Sequence, residues 1–139
     1  MKITILLALA VASLTVVSMV GAAPAKTIDL ATKEGLGRYL VDQDGIALYY
    51  TTDDVPRSGA SSCGETCIVY WPPFHTGQRV LPMDLSSFDF GTIYREDGLA
   101  QTTYKGWPLY YYINDYNPGD IRGHGMYDAW FVAGPDTTP

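Results

Sequence analysis

The chain has 139 residues, with nine Lys and Arg against fifteen Asp and Glu, a net charge of −6. That acidic balance repels phosphate backbones and argues against nucleic acid as a partner. Eleven tyrosines, three tryptophans and fourteen glycines favour strands joined by tight turns, and little in the composition favours long helices.

Met1-Lys2 precedes an almost uncharged run from Ile3 to Val20, followed by Gly21-Ala-Ala-Pro-Ala25. A short positive start, an apolar segment and small residues at its end describe a secretory signal peptide, with cleavage expected after Ala25. The alternative is a permanent membrane anchor, since the run is nearly long enough to span. No cysteine stands near the cleavage position, so no lipid anchor is expected. Residues 26–139 then form a single β-rich domain, large enough for its own core.

Gly37 to Val41 and Ile46 to Thr52 flank Asp42-Gln-Asp-Gly45, a hairpin signal. Phe88 to Tyr94 and Leu99 to Tyr104 flank Arg95-Glu-Asp-Gly98 in the same way. Lys105-Gly106 turns the chain into a strand over 108–113, and Asn114 to Asp120 is dense in turn formers. A last strand is expected over 126–133. Between the hairpins, Ser62-Cys-Gly-Glu65 fits a capping box and predicts a short helix from Cys63 to Tyr70, stopped by Trp71-Pro72-Pro73. The fold expected is mainly β: two related antiparallel hairpin or meander repeats, about 36–57 and 90–121, with one short helix between them. The repeat is visible as Gly37, Asp44-Gly45, Leu48-Tyr49-Tyr50 and Asp54, echoed by Gly91, Asp97-Gly98, Leu109-Tyr110-Tyr111 and Asp115.

Leu48-Tyr49 and Asp54, the Cys63-x-x-x-Cys67-x-x-x-Trp71-Pro72-Pro73 run, Tyr104 to Asp120 and Trp130 resemble the secreted-repeat family. Its members are often described as predicted lipoproteins with a Tyr-x-aromatic-x-x-Asp motif, and their function is mostly unassigned. Tyr110-Tyr-Tyr112-Ile-Asn-Asp115 matches that motif; the first copy, Tyr49 to Asp54, has Thr51 where an aromatic is expected. More loosely, the chain is similar to the small proteins that build tubular, amyloid-like sheaths around filamentous methanogenic archaea.

Cys63 and Cys67 are the only cysteines. Secretion favours their oxidation, and side chains at i and i+4 of a helix lie within disulfide reach. A local bridge is expected, with bridges between subunits as the alternative. A zinc site would need both cysteines to converge with His75 and His124. The aspartates at 42, 44, 53, 54, 115 and 120 stand in turns, where bonding to their own backbone competes with calcium binding. No nucleophile motif or phosphate-binding loop is present, so neither an enzyme nor a bound cofactor is expected.

Alternation in the strand over 108–113 puts Leu109, Tyr111 and Ile113 on one face and Tyr110 and Tyr112 on the other; Leu48 and Tyr50 likewise oppose Tyr49. Tyr110 and Tyr112 either lie in a core between two layers or face out. Read as outward, Tyr49, Tyr110, Tyr112 and Trp107 form a self-association or binding surface. The function expected is a secreted structural protein, a homo-oligomer building an amyloid-like, sheath-type layer at the cell surface. The alternative is a secreted module that binds a small molecule, a glycan or a metal such as calcium through exposed rings, with Trp71, Trp107 and Trp130 as candidates.

Overall fold

The computed structural model describes residues 27–77 and 80–139; the expected signal peptide, 1–25, lies outside the described residues. The chain is mainly β, and its helical content among those residues is three short 3-10 turns. β1 (Ile28–Lys33) and β2 (Gly37–Asp42) pair antiparallel, with Ile28 opposite Asp42 and Lys33 opposite Gly37. The second hairpin pairs β4 (Phe90–Tyr94) with β5 (Ala100–Tyr104), and β6 (Trp107–Pro108) extends it. Both Asp-Gly turns close, with Gly45 N–H on the Asp42 carbonyl at 3.0 Å and Gly98 N–H on the Arg95 carbonyl at 2.9 Å. The first does not join the expected pair of strands: β2 takes β1 as its partner and meets the 46–52 run at the Val41–Ala47 bridge. β1 lies where no strand was expected, because Asp29, Thr32 and Lys33 dilute its apolar signal.

The seam between the repeats is a set of short extended segments. β3 (Tyr49–Thr51) pairs antiparallel with β7 (Trp130–Val132), Tyr49 opposite Val132 and Thr51 opposite Trp130. On its other side Tyr49 bridges Tyr110, which in turn bridges Pro73. The expected strand over 108–113 is therefore regular only at its first residue, Pro108, the end of β6. The expected strand over 126–133 shrinks to β7, because Met126–Asp128 winds into a 3-10 turn.

The helix expected from Cys63 to Tyr70 is corrected to one 3-10 turn, Cys67–Val69. Ser62 does not cap it: its N–H and hydroxyl both donate to Asp54 Oδ1, at 2.6 and 2.7 Å. With the capping residue Ser62 drawn to Asp54 and flexible Gly64 two positions on, the segment lacks the start that a longer helix needs.

Two apolar clusters form on the two sides of the seam. One holds Tyr49, Trp71, Tyr110, Tyr112, Trp130 and Val132; the other holds Leu48, Tyr50, Phe74, Leu109 and Ala133. The strand alternation is as expected, but both faces are covered. Tyr49 and Tyr110 are 0% exposed and Tyr112 9%, so none of the three forms an outward surface. Trp107 is half-buried, its ring 5.1 Å from that of Tyr50.

Candidate functional site

The Tyr and Asp of each repeat motif do not meet each other. Each meets its counterpart across the seam. Tyr49 donates its hydroxyl to Asp115 Oδ2 at 2.5 Å, and Tyr110 donates to Asp54 Oδ2 at 2.7 Å. The main chains repeat the exchange: Tyr49 N–H donates to the Tyr110 carbonyl at 2.8 Å, and Tyr110 N–H to the Tyr49 carbonyl at 2.9 Å. Further donors complete both carboxylates, Ser62 on Asp54 and the Arg122 N–H on Asp115. Burial, then the facing carboxylate, pushes both tyrosine hydroxyls far above their ordinary range. These phenols stay protonated, and each keeps its donor.

The ring packing crosses the seam through the tryptophans, while each tyrosine of the exchange meets the tryptophan of its own repeat. Trp71 and Trp130 stack in parallel, centroids 3.8 Å apart and planes 4° apart. Trp71 meets Tyr49 edge-on at 5.4 Å, and Trp130 meets Tyr110 edge-on at 5.1 Å. Tyr112 covers the Trp71 ring at 4.4 Å. Gly123 makes this close packing possible, since a Cβ there would stand 2.6 Å from the Trp71 ring.

Beside this stack the two cysteines are joined, Cα atoms 5.2 Å apart, as the local bridge expected from their spacing. No thiolate remains for the zinc site weighed from Cys63, Cys67, His75 and His124. His124 instead accepts the Val132 N–H through Nδ1 at 3.1 Å. Asp42 and Asp120 are engaged in their own loops: Asp42 Oδ1 accepts the N–H groups of Asp44 and Ile46, and Asp120 Oδ2 accepts those of Tyr116 and Asn117, the latter two at 3.0 Å. Arg95 is buried and ties the second hairpin to the disulfide segment, donating to Ser61 Oγ at 2.8 Å and to the Cys63 carbonyl at 2.6 Å.

A cleft of about 660 Å³ opens over the disulfide and the tryptophan stack. The first repeat contributes Asp53, Cys63, Cys67, Tyr70 and Trp71; the second contributes Tyr112, Asn114, Met126, Tyr127 and Trp130. Trp71 and Trp130 were candidates from sequence; Tyr70 and Tyr127 were not. Both of these rings stand well out of the surface, Tyr70 56% and Tyr127 82% exposed. A composite cleft of this size, apolar at its floor with a few polar groups at its rim, has the dimensions of a small-molecule site.

Two interlocked hairpin units that complete one another's hydrogen bonds and share one cleft define a two-repeat β domain. A family model for a secreted repeat of unknown function matches residues 31–75 and again residues 91–134, together more than half of the chain. The chain belongs to that family of secreted repeats. No curated protein and no solved structure matches it. No helix among the described residues is long and apolar enough to cross a membrane.

Proposed function

We propose that the domain is a secreted binding module that captures a small organic ligand in the cleft between its repeats. The observation that carries this reading is the make-up of the cleft: each repeat supplies a tryptophan, one exposed tyrosine and a polar rim residue, so the site exists only when both copies fold together. Capture rather than turnover fits the nearby buried carboxylates, Asp54 and Asp115, which are held by hydroxyl and amide donors.

Protein-observed nuclear magnetic resonance against a library of small sugars, amines and phenols tests the reading. Shift changes should cluster on Tyr70, Trp71, Trp130 and their neighbours. A library that leaves the seam unperturbed overturns it.

A second reading, self-assembly into an extracellular layer, now rests on other residues than Tyr110 and Tyr112. Met83, Phe88 and Tyr94 are 102%, 97% and 78% exposed, and Tyr94 lies on β4, at one side of its sheet. Exposed large apolar side chains beside an edge strand favour association. Sedimentation at high concentration distinguishes the two: a binding module stays monomeric, and a layer-forming protein yields large species that Phe88→Ser and Tyr94→Ser reduce.

A further inference from the structure

We propose that the cleft selects an organic cation, a quaternary or multiply methylated ammonium group. This rests on the reading of the cleft as a ligand site and assigns the chemistry of its occupant.

Charge is the first argument. Among the described residues that line the cleft, Asp53 is the one charged side chain, and none of them is Lys, Arg or His. Its main-chain N–H donates to Thr51 Oγ, but among the described residues its exposed carboxylate makes no hydrogen bond or ion pair. An unpaired anion beside aromatic rings attracts a positive ligand, and the chain as a whole, at −6, adds to that field.

Hydrogen-bonding capacity is the second. Two of the polar side chains that line the cleft are already engaged with their neighbours. Ser62 donates its hydroxyl to Asp54. Asn114 donates to the Tyr112 hydroxyl and accepts from the Tyr116 hydroxyl. A quaternary ammonium has no N–H to satisfy, and each methyl group added to a lesser one removes an N–H. Such a cation needs ring surface and a counter-charge, which is what the cleft supplies.

Ring placement is the third. Tyr127 sits at φ 55°, a left-handed conformation uncommon for a residue with a side chain, and Asp128 follows at φ 52°. Unfavourable backbone of this kind clusters at ligand sites. Here it carries a tyrosine ring at the cleft mouth, 82% exposed, where a ligand can cover it.

The test uses the full folded chain with its disulfide intact and reads tryptophan fluorescence and calorimetric heat. The probes are choline, its neutral carbon isostere 3,3-dimethylbutan-1-ol, cellobiose and phenol. Choline should saturate the site and the neutral isostere should bind at least about tenfold more weakly, the difference expected of a cation–π and carboxylate pair. Asp53→Asn should weaken choline about tenfold while leaving the isostere unchanged. Tyr127→Gly, which suits the backbone there, should weaken choline and leave thermal stability equal or higher. Equal binding of choline and the isostere overturns the cation assignment and leaves the cleft reading standing, as does saturation by cellobiose or phenol without choline. Binding of none of the four overturns both.

Discussion

Tyr49 and Tyr110 carry two opposing demands on one side chain. Burying each ring stabilises the fold by about 2–3 kcal/mol, while burying a hydroxyl without a partner costs about 1–3 kcal/mol. Only the paired hydroxyl makes the buried tyrosine better than a phenylalanine, and Asp115 and Asp54 supply that pairing. Tyr49→Phe should therefore destabilise by about 2–3 kcal/mol, because it also deprives Asp115 Oδ2 and the Gly123 N–H of their partner. Tyr110→Phe should cost less: it deprives Asp54 Oδ2 and the Ser61 hydroxyl, but Asp54 keeps both donors from Ser62 and Ser61 keeps Arg95. Urea denaturation gives both values; a change below about 0.5 kcal/mol for Tyr49→Phe would show that the bond contributes little. His124 gives the domain a pH dependence. Burial holds its pKa below the ordinary 6.5, and only an unprotonated Nδ1 can accept the Val132 N–H. The folded state thus binds fewer protons than the unfolded state below pH 6.5. Stability is complete above that value and falls as the pH drops through it. Melting temperature should decline between pH 7 and 5 and flatten in His124→Gln. The carboxylates of Asp97, Asp120 and Asp136, held low by backbone amides and arginines, act only below about pH 4 and leave that window clear.

At the scale of elements, Gly134 marks a close join of backbone on backbone. A Cβ there would stand 2.5 Å from the Arg38 carbonyl oxygen and 2.6 Å from the Tyr39 Cα. Both are backbone atoms of β2, so nothing flexible can move aside. Gly134→Ala should cost about 3–4 kcal/mol, seen as a shifted denaturation midpoint; a wild-type midpoint would mean that β2 yields. Nothing in the sequence around Gly134 announces this contact, and the reason is general to the fold. Asp42 to Gly45 and Arg95 to Gly98 were legible because turn chemistry is local. The Cys63–Cys67 bridge was legible because four residues fix its geometry. Face alternation along 48–50 and 109–112 was legible for the same reason. What covers the second face was not, because Trp71 and Trp130 reach Tyr49 and Tyr110 from about twenty residues downstream. The capping box at Ser62 was a true local signal that lost to Asp54, a partner eight residues upstream. The cleft was the least legible feature: Tyr70 and Tyr127 line it together only after the repeats close on each other.

Across the whole molecule, each repeat supplies what the other lacks. In the first, Leu48 N–H donates to the Leu40 carbonyl at 3.0 Å, and that corner is closed from the second repeat, with Leu40 N–H on the Ala133 carbonyl at 2.7 Å. In the second, Leu109 N–H donates to the Thr102 carbonyl at 2.9 Å, and Thr102 N–H reaches the Phe74 carbonyl of the first at 2.9 Å. A lone repeat would leave these groups, a buried carboxylate and half of each apolar cluster facing water. Small single units of this kind cannot offset the chain entropy of ordering them. Cutting the chain between Met83 and Asp84, both well exposed, separates the repeats with their hairpins whole. Neither half should show dispersed amide resonances or a near-ultraviolet aromatic signal by itself. Mixed at equal concentration, the halves should recover both, with a midpoint that rises with concentration, because folding is then association. Either half folding alone would show that the exchange of Tyr and Asp across the seam follows folding rather than driving it.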